Sequence, residues 1–263
     1  MNTVHFANMI QFPSGQLSER RRRRRQARRD EIVDAAMLLV QEHGIESLTL
    51  QALAERLDLA VGTLYRYVRS KDELISALQR EVLDVLDANT RQCRERCTAA
   101  FPGPDPDSER RRIRALLPLV AIGELYRAFS QEAPALFSLL AVSVGDPRRL
   151  LPDREAARTI ASARPQLAAL GTDLDAAAAA GALHSGPPAE RAMAFWGALH
   201  GVLQLRKMTR FAGDMFPVDV LAGEVTATLL RGWGADGHLL DAATEAVREH
   251  GLARFEDLRP HRG

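Results

Sequence analysis

The sequence predicts an all-α protein made of a small N-terminal helix-turn-helix domain and a larger helical domain. Apolar residues recur three and four positions apart through most of the 263 residues, and no stretch alternates apolar with polar residues as a β-strand would. Near the N-terminus a very short turn separates two helical patterns, as in a helix-turn-helix. Three prolines within residues 101–108 mark a joint, beyond which every segment again has a helical pattern.

Residues 1–28 are predicted to form a disordered basic arm. The run Arg20–Arg25 places six like charges side by side, and these charges repel one another. From Arg20 to Lys71 the chain has twelve Lys and Arg against seven Asp and Glu, whereas residues 101–263 have nineteen against twenty. This excess favours an anionic partner, either nucleic acid or a membrane surface, with a merely solvated tail as the alternative.

The first two helices of the predicted domain 29–75 have recognisable boundaries. Ile32 and Leu39 lie on one face of the first helix, and Gly44 is a suitable left-handed C-cap. Thr49 precedes the apolar pattern of LQALAERL, and its hydroxyl is a good N-cap because it accepts a hydrogen bond from a free backbone N–H. The short segment DLAV then turns the chain.

The segment GTLYRYV, residues 62–68, predicts a third helix of about two turns. Leu64 and Val68 lie four positions apart and are expected to face inward, against the other two helices. Gly62 has no side chain, so another molecule is able to approach the backbone closely there.

The outward positions of this helix suit a nucleic-acid surface. Thr63 and Arg66 are placed to reach base edges in a major groove. Tyr65, Tyr67 and Lys71 suit phosphate oxygens, because phenols donate hydrogen bonds and lysine supplies a compact charge. An ordinary solvated helix end is the alternative interpretation.

Ser70 is predicted to cap a long fourth helix that continues to about Cys97. Asp72 and Glu73 follow in its first turn, where the helix dipole favours acidic side chains. Cys93 and Cys97 lie one turn apart, which suits sharing a soft metal or reacting with an electrophile. Two small side chains near a helix end are the simpler interpretation.

The stretch LTLQALAERLDLAVGTLYRYVRSKDELI resembles the DNA-binding domain of the TetR family. The resemblance implies a homodimeric transcriptional regulator, most simply a repressor, that binds a palindromic double-stranded DNA operator and responds to a small-molecule effector. Asp58 and Ala60 stand where the family often has Gly and Ser, so Ala60 lacks a hydroxyl for phosphate. The implied DNA-binding residues are Thr49, Val61, Gly62, Thr63, Tyr65, Arg66, Tyr67 and Lys71, with Ala60 in the same segment.

Residues 76–235 are predicted to form a helical ligand-binding and dimerisation domain, and residues 236–263 a C-terminal helical extension. By the same resemblance, the helices near 188–211 and 217–233 form a four-helix dimer interface. Packing within one subunit explains their small residues equally well. Those residues are Gly197, Ala198 and Gly201.

A pocket is expected between the fourth helix and the helices after the proline joint. Apolar and aromatic walls with a few polar tips suit a hydrophobic or aromatic effector. Trp196 and His200 lie four positions apart and so share a helix face, although each candidate taken alone is more simply a core residue. The candidate ligand-binding residues are Tyr126, Phe129, Phe137, Met193, Trp196 and His200.

Composition and motifs argue against several other classes. The N-terminus lacks a signal-peptide pattern, no apolar run reaches the roughly 20 residues that span a bilayer, and two cysteines fit a reducing compartment, so a cytoplasmic protein is expected. No phosphate loop, HExxH or GxSxG motif is present, and the sequence predicts no catalytic residue, cofactor or metal site. The alternatives are an unrecognised enzyme and a non-regulatory helical protein that binds nucleic acid or an anionic surface through its basic arm.

Overall fold

The computed structural model describes residues 14–102, 107–145, 153–212, 215 and 217–256. All regular structure within these residues is helical, which confirms the predicted all-α class. The chain divides into two compact units, Met1–Leu74 and Ile75–Gly263. This boundary lies within one residue of the end predicted for the helix-turn-helix domain.

The first unit contains α1 (Ser14–His43), α2 (Leu50–Arg56), α3 (Val61–Leu64) and the beginning of α4 (Lys71–Ala100). A 3-10 turn at Ile45–Ser47 joins α1 to α2. Inward-facing aliphatic side chains from all of these helices form one small core. Its most buried members are Ile32, Ala36, Val40, Leu48, Leu53, Leu64 and Leu74.

The arginine run is helical, and this corrects the predicted disordered arm from Ser14 onward. Helix α1 begins at Ser14, so Arg20–Arg25 lie within it, while residues 1–13 lie outside the described part of the chain. Arginine is a good helix former, and its charges remain in water where repulsion is screened. Intrahelical pairing adds support, since Arg23 Nη2 lies 2.9 Å from Glu19 Oε1.

Gly44 ends α1 as predicted, but with a different backbone conformation. Its φ of 81° requires glycine, while its ψ of 169° places it outside the left-handed helical cap that was expected. The Gly44 N–H still donates to the Val40 carbonyl at 2.8 Å. Because its ψ is extended, Gly44 leads the chain directly into the 3-10 turn at Ile45–Ser47.

The second unit consists of most of α4, then α5 (Ser108–Glu132), α6 (Pro134–Gly145), α7 (Asp153–Ala179), α8 (Pro188–Gln204), α9 (Thr209–Ala212), α10 (Val218–Gly232) and α11 (Gly237–Glu249). The helix predicted over 188–211 is interrupted, because a 3-10 segment at Leu205–Met208 separates α8 from α9. Acidic N-caps start two of the helices: Asp107 accepts from the Arg110 N–H at 2.7 Å, and Asp236 accepts from the His238 N–H at 2.9 Å.

Helix α5 is the central element of the second unit and packs against α6, α7, α8, α10 and α11. Most of its side chains from Leu116 to Ser130 are therefore buried. Gly123 is required at the crossing with α10, because a Cβ there would lie 2.8 Å from Thr226 Oγ1. This close approach brings α8 and α10 side by side over α5.

The predicted C-terminal extension is an integral part of the second unit. Helix α11 packs along α5 and buries Leu239, Leu240, Ala243 and Val247. The chain then runs without helical structure from Leu252 to Glu256, a segment called the C-terminal strap below. Residues 257–263 lie outside the described part of the chain.

The C-terminal strap is bound to α4 by its backbone. Asn89, which is fully buried on α4, donates to the Glu256 carbonyl at 2.8 Å and accepts from the Glu256 N–H at 2.8 Å. Arg96 donates to the Arg254 carbonyl at 3.2 Å and pairs with the Glu256 carboxylate at 2.6 Å. The strap therefore fixes one face of α4 over about two turns.

Candidate functional site

The first candidate site is the exposed surface of α3 and the turns on either side of it. Thr49 starts α2 as predicted, since its hydroxyl oxygen accepts from the Ala52 N–H at 3.0 Å. The turn after α2 contains Asp58 at φ 52°, a left-handed conformation that asparagine, aspartate and glycine tolerate best. That conformation lets α3 begin only a few residues after α2 ends.

Leu64 and Val68 hold α3 to the core, with 0% and 3% exposure, and this confirms the predicted inward face. On the outward side Tyr65 is 52% exposed and Val61 37%. The other predicted DNA-binding residues divide into two groups. Thr49, Gly62 and Arg66 are exposed, and Thr63, Tyr67 and Lys71 are half-buried.

Four of the predicted DNA-binding side chains remain available for an outside partner in the described part of the chain. Within the described ranges no side chain pairs with those of Tyr65, Arg66, Tyr67 or Lys71. A Cβ added to Gly62 would meet nothing within 4 Å, so packing inside the chain does not require glycine there. The surface thus offers phenols, a guanidinium and an ammonium around an open backbone position.

The start of α4 is locked to α1 by a single glutamate. The Glu73 N–H donates to Ser70 Oγ at 3.1 Å, which confirms Ser70 as the N-cap, and Glu73 Oε2 accepts from the Arg69 N–H at 2.8 Å. The remaining carboxylate oxygen of Glu73 forms a salt bridge with Arg29. The segment that carries the outward side chains is therefore held at both ends.

A second ion pair fixes α2 to α1. Arg56 binds Glu42 through both guanidinium nitrogens, at 2.6 and 2.8 Å. The hydrogen bond from Arg56 lowers the pKa of Glu42.

The end of the arginine run reaches the residues just after α3, because Arg25 Nη2 donates to the Arg66 carbonyl at 3.3 Å. The basic run is thus next to the α3 surface and not a separate tail.

The second candidate site is a cavity of about 350 Å³ inside the second unit. Helices α4, α5, α6, α7 and α8 all contribute to its wall, as the predicted position between α4 and the later helices requires. Most of the wall is aliphatic. It is lined by Gln79, Leu83, Leu86, Thr90, Arg94, Ile122, Leu125, Tyr126, Leu140, Ala156, Thr159, Ile160, Ala163, Gln166, Leu167, Leu170, Phe195, Trp196 and Leu199.

Only two of the six candidate ligand-binding residues reach the cavity wall, Tyr126 and Trp196. Phe129 and Phe137 are 0% and 7% exposed and pack against each other in the core, with ring centroids 5.9 Å apart. Met193 is 50% exposed on the outer face of α8. His200 is buried beside the wall without lining it.

The sequence reasoning missed the residues of α4 and α7 that form the long sides of the cavity. On α4 the available signal was the spacing of Gln79, Leu83, Leu86, Thr90 and Arg94, which places them on one helix face. Helix α7 gave a weaker signal because alanine dominates its sequence and it has no aromatic side chain.

Tyr126 and His200 form a buried hydrogen bond beside the cavity, and Trp196 stacks on His200 with ring centroids 5.2 Å apart. The Tyr126 phenol oxygen lies 2.7 Å from His200 Nδ1. His200 Nε2 is buried, and among the described residues it has no hydrogen-bond partner.

Burial dominates the ionisation of Tyr126 and His200. It lowers the pKa of His200 to about 4 and raises the pKa of the Tyr126 phenol well above its ordinary value, against the hydrogen bond from Trp196. Both groups are therefore neutral at physiological pH. The hydrogen bond between Tyr126 and His200 orients the aromatic part of the cavity wall, and neither group places a charge there.

Cys93 and Cys97 are free thiols with 0% and 3% exposure. The hydrogen bond that they share lowers the pKa of Cys93 and raises that of Cys97. Within the described residues no group of three or more His, Cys, Asp or Glu side chains is placed to hold a metal ion. Packing accounts for both thiols in this structure.

The outer faces of α8 and α10 expose apolar side chains next to small residues. The two helices pack against each other, and Met193 and Val220 are 50% and 63% exposed on them. A Cβ built on Gly197, Gly201 or Gly223 would meet nothing within 4 Å. These glycines therefore serve no close packing within the subunit.

The exposed α3 surface and the apolar cavity define a helix-turn-helix regulator fold with a separate helical body. The sequence agrees, because residues 32–78 match the bacterial regulatory proteins of the tetR family and residues 119–229 match the tetracyclin repressor-like C-terminal domain. The chain belongs to the TetR family.

Individual relatives resemble parts of the chain. It is 48% identical over 64 residues to the transcriptional repressor KstR of Mycolicibacterium smegmatis, covering 24% of this chain and 31% of the relative. It is 42% identical over 55 residues to the class D tetracycline repressor of Escherichia coli, covering 21% and 25%. The chain thus spans a third or less of the length of these relatives.

The fold of most of the chain is found in solved structures. SmeT, the repressor of the Stenotrophomonas maltophilia multidrug efflux pump SmeDEF, superposes with a TM-score of 0.53 at 18% identity. The match covers 80% of this chain and 91% of SmeT. Among the helices of the described residues, none combines the length and apolar character needed to cross a membrane.

Proposed function

We propose that this protein is a DNA-binding transcriptional regulator, acting as a repressor, that binds a palindromic operator as a homodimer. The observation that carries the proposal is the α3 surface, which combines the open backbone at Gly62 with phenol, guanidinium and ammonium groups that no other described side chain pairs with. A recognition helix works in this way, with some side chains on base edges and others on phosphates. Arg66 and Thr63 contact the base edges, and Tyr65, Tyr67 and Lys71 contact the phosphates.

The arginine run extends this surface electrostatically. Arg20–Arg25 lie on a helix whose last arginine of the run touches the Arg66 carbonyl, so the run is close enough to contribute to the same DNA contact. Phosphate neutralisation supplies affinity and not sequence preference. We therefore assign recognition to α3 and non-specific attraction to α1.

The homodimer forms through the outer faces of α8 and α10. Exposed apolar side chains at Met193 and Val220 favour a covered surface, and glycines that pack against nothing in the subunit permit close helix approach. A two-fold symmetric dimer presents two α3 surfaces, and this matches an inverted repeat in the DNA.

The effector is a small apolar molecule that fills the cavity. Helix α4 supplies Leu83, Leu86 and Arg94 to the cavity wall, and the same helix begins with the Ser70 and Glu73 cap in the first unit. A ligand that displaces α4 would therefore bias the DNA-binding unit. A coupling of about 1–3 kcal/mol changes DNA affinity several-fold to about a hundredfold.

Selection from a random duplex library tests this function. The purified protein and an Arg66→Ala variant are each used to enrich bound sequences, which are then read and aligned. The proposal expects one inverted repeat with the wild type and relaxed preference at symmetric positions with the variant. If the protein retained DNA in a salt-dependent way but enriched no sequence, the basic run would be a general anion binder and the proposed regulatory function would be wrong.

A further inference from the structure

The cavity extends along α4 and α7, and its length restricts what it accepts. Its α4 wall runs from Gln79 to Arg94 and its α7 wall from Ala156 to Leu170. At 1.5 Å per residue each wall is about 20 Å long. A volume of about 350 Å³ distributed over such a length suits an extended single chain better than a compact ring system.

Three polar contacts set the register of α7 along α4 and use polar groups of the cavity wall. Ser76 Oγ lies 3.1 Å from Thr159 Oγ1, Gln166 Nε2 donates to the Leu83 carbonyl at 2.6 Å, and Arg94 Nε donates to Asp173 at 2.8 Å. The two helices therefore run in the same direction, with the arginine at one end of the cavity and Ser76 and Thr159 at the other.

The donors at the Thr159 end and along the middle are already used. Gln79 Nε2 donates to the Leu139 carbonyl at 2.8 Å, and Thr159 Oγ1 donates to Gln79 Oε1 at 3.4 Å. Thr90 Oγ1 donates to the Asp87 carbonyl at 3.1 Å. An apolar tail is therefore preferred at that end, where the wall continues with Leu83 and Leu140.

Arg94 differs from these groups because its two terminal nitrogens are unused. Only Nε is committed, to Asp173, and within the described ranges Nη1 and Nη2 have no partner. The Arg94 side chain is 23% exposed and lines the cavity, whereas Asp173 does not line it. The cavity thus ends in a group that is able to donate hydrogen bonds to an acceptor.

Asp173 decides which kind of acceptor fits. Its carboxylate already compensates the arginine, so the pair has no net charge, and burial raises the pKa of Asp173 in spite of Arg94. A second carboxylate would add an uncompensated negative charge beside a group that is already costly to ionise. A neutral carbonyl accepts the same N–H groups without that penalty.

We propose that the cavity binds a single-chain apolar molecule whose terminal carbonyl, a ketone or ester, accepts hydrogen bonds from Arg94 Nη1 and Nη2. This inference rests on the proposed function for its regulatory meaning, but not for the binding itself. It names the chemical class of the effector and assigns specificity to Arg94 and Asp173.

Binding is measured directly, without DNA, through the fluorescence of Trp196 in a Trp233→Phe background, so that the only reporter lies on the cavity wall. The probes are 2-undecanone and decanoate, which have equal numbers of non-hydrogen atoms, and 2-adamantanone, a compact ketone. The protein variants are Arg94→Met with Asp173→Leu, which removes the ion pair without leaving a buried charge, and Arg94→Lys, which keeps the charge but loses the planar fork.

The proposal expects 2-undecanone to bind roughly tenfold to a hundredfold more tightly than decanoate and 2-adamantanone. The double variant should lose at least tenfold in affinity for 2-undecanone, and Arg94→Lys should lie between. Tighter binding of decanoate, or unchanged binding of the ketone in the double variant, would overturn the assignment. Equal binding of the compact ketone would overturn the chain-shaped cavity.

The same probes separate this inference from the proposed function. If 2-undecanone binds as expected but leaves operator binding unchanged, the cavity chemistry is right and the effector role is wrong. If an operator is selected but no probe changes Trp196 fluorescence, the DNA-binding function is right and the ligand class is wrong.

Discussion

The phenol oxygen of Tyr126 lies 2.7 Å from Nδ1 of His200, and this contact joins the two rings in the buried interior. The histidine is 1% exposed, and burial lowers its pKa to about 4 from an ordinary value of 6.5. Above pH 6.5 it is neutral in both the folded and the unfolded chain, so it adds no pH dependence there.

Below pH 6.5 the unfolded chain binds a proton at His200, whereas the folded chain does not bind it until the pH approaches 4. The free energy of unfolding should fall between pH 6.5 and about 4, by about 3 kcal/mol over the full range from this group. His200→Gln keeps an acceptor for Tyr126 and removes the titration. Urea unfolding at pH 7.5 and 5.0 should show a smaller loss in the variant, and equal losses would rule out His200 as the source.

Replacing Arg20–Arg24 with glutamine should weaken DNA binding without melting α1, because glutamine is also a good helix former. For each phosphate that the variant no longer neutralises, the slope of log affinity against log salt should flatten by about 0.9. The control replaces Arg111 and Arg248, exposed arginines of the second unit, with glutamine. Equal salt slopes for the variant and the wild type would remove the arginine run from the DNA interface.

Asp58→Asn should increase DNA affinity by a few-fold at low salt. Asparagine tolerates the φ of 52° as well as aspartate does, and the substitution removes a negative charge from the turn before α3. The gain should shrink as salt is raised, because exposed charges are screened. Thermal unfolding should be nearly unchanged, and a loss of affinity in the variant would mean that this turn does not face DNA.

Met193→Glu combined with Val220→Glu should convert the dimer to a monomer, since both side chains lie on the outer face of α8 and α10. Burying four like charges across a two-fold axis is strongly unfavourable. Sedimentation velocity measures the result. Thr172→Glu, an exposed position on α7, is the matched control and should leave the association unchanged. A double variant that still dimerises would place the interface elsewhere.

Asn89→Leu should destabilise the second unit by about 2–3 kcal/mol, because it leaves both backbone groups of Glu256 without their partner. Glu256→Gln removes only the half-exposed ion pair with Arg96 and should cost less than about 1 kcal/mol. Equilibrium urea unfolding compares the two. Similar costs for both variants would show that the Asn89 hydrogen bonds contribute little.

Local signals made the first unit predictable. Thr49 and Ser70 are N-caps with hydroxyl acceptors, and Leu64 and Val68 are spaced to bury one side of a short helix. Each of these signals acts over four residues or fewer. Charge repulsion led to the wrong prediction for the arginine run, because solvent screens it and helix propensity is not lost.

Long-range packing limited the prediction of the cavity. Trp196 and His200 do share a face and stack with ring centroids 5.2 Å apart, yet only Trp196 reaches the cavity. Which side of a buried helix meets empty space depends on how five helices pack, and no single helix encodes that. Sequence reasoning misses Arg94 for the same reason, because its partner Asp173 is 79 residues away.

The C-terminal strap gives the chain a fixed order of assembly. Asn89 and Glu256 are 167 residues apart, so at about 5–20 residues per second the ribosome makes Asn89 roughly ten to thirty seconds before Glu256. During that interval one face of α4 has no strap, and the Asn89 carboxamide is without two of its hydrogen bonds. A chaperone that binds nascent chains is able to contact this face of α4 only until Glu256 is in place.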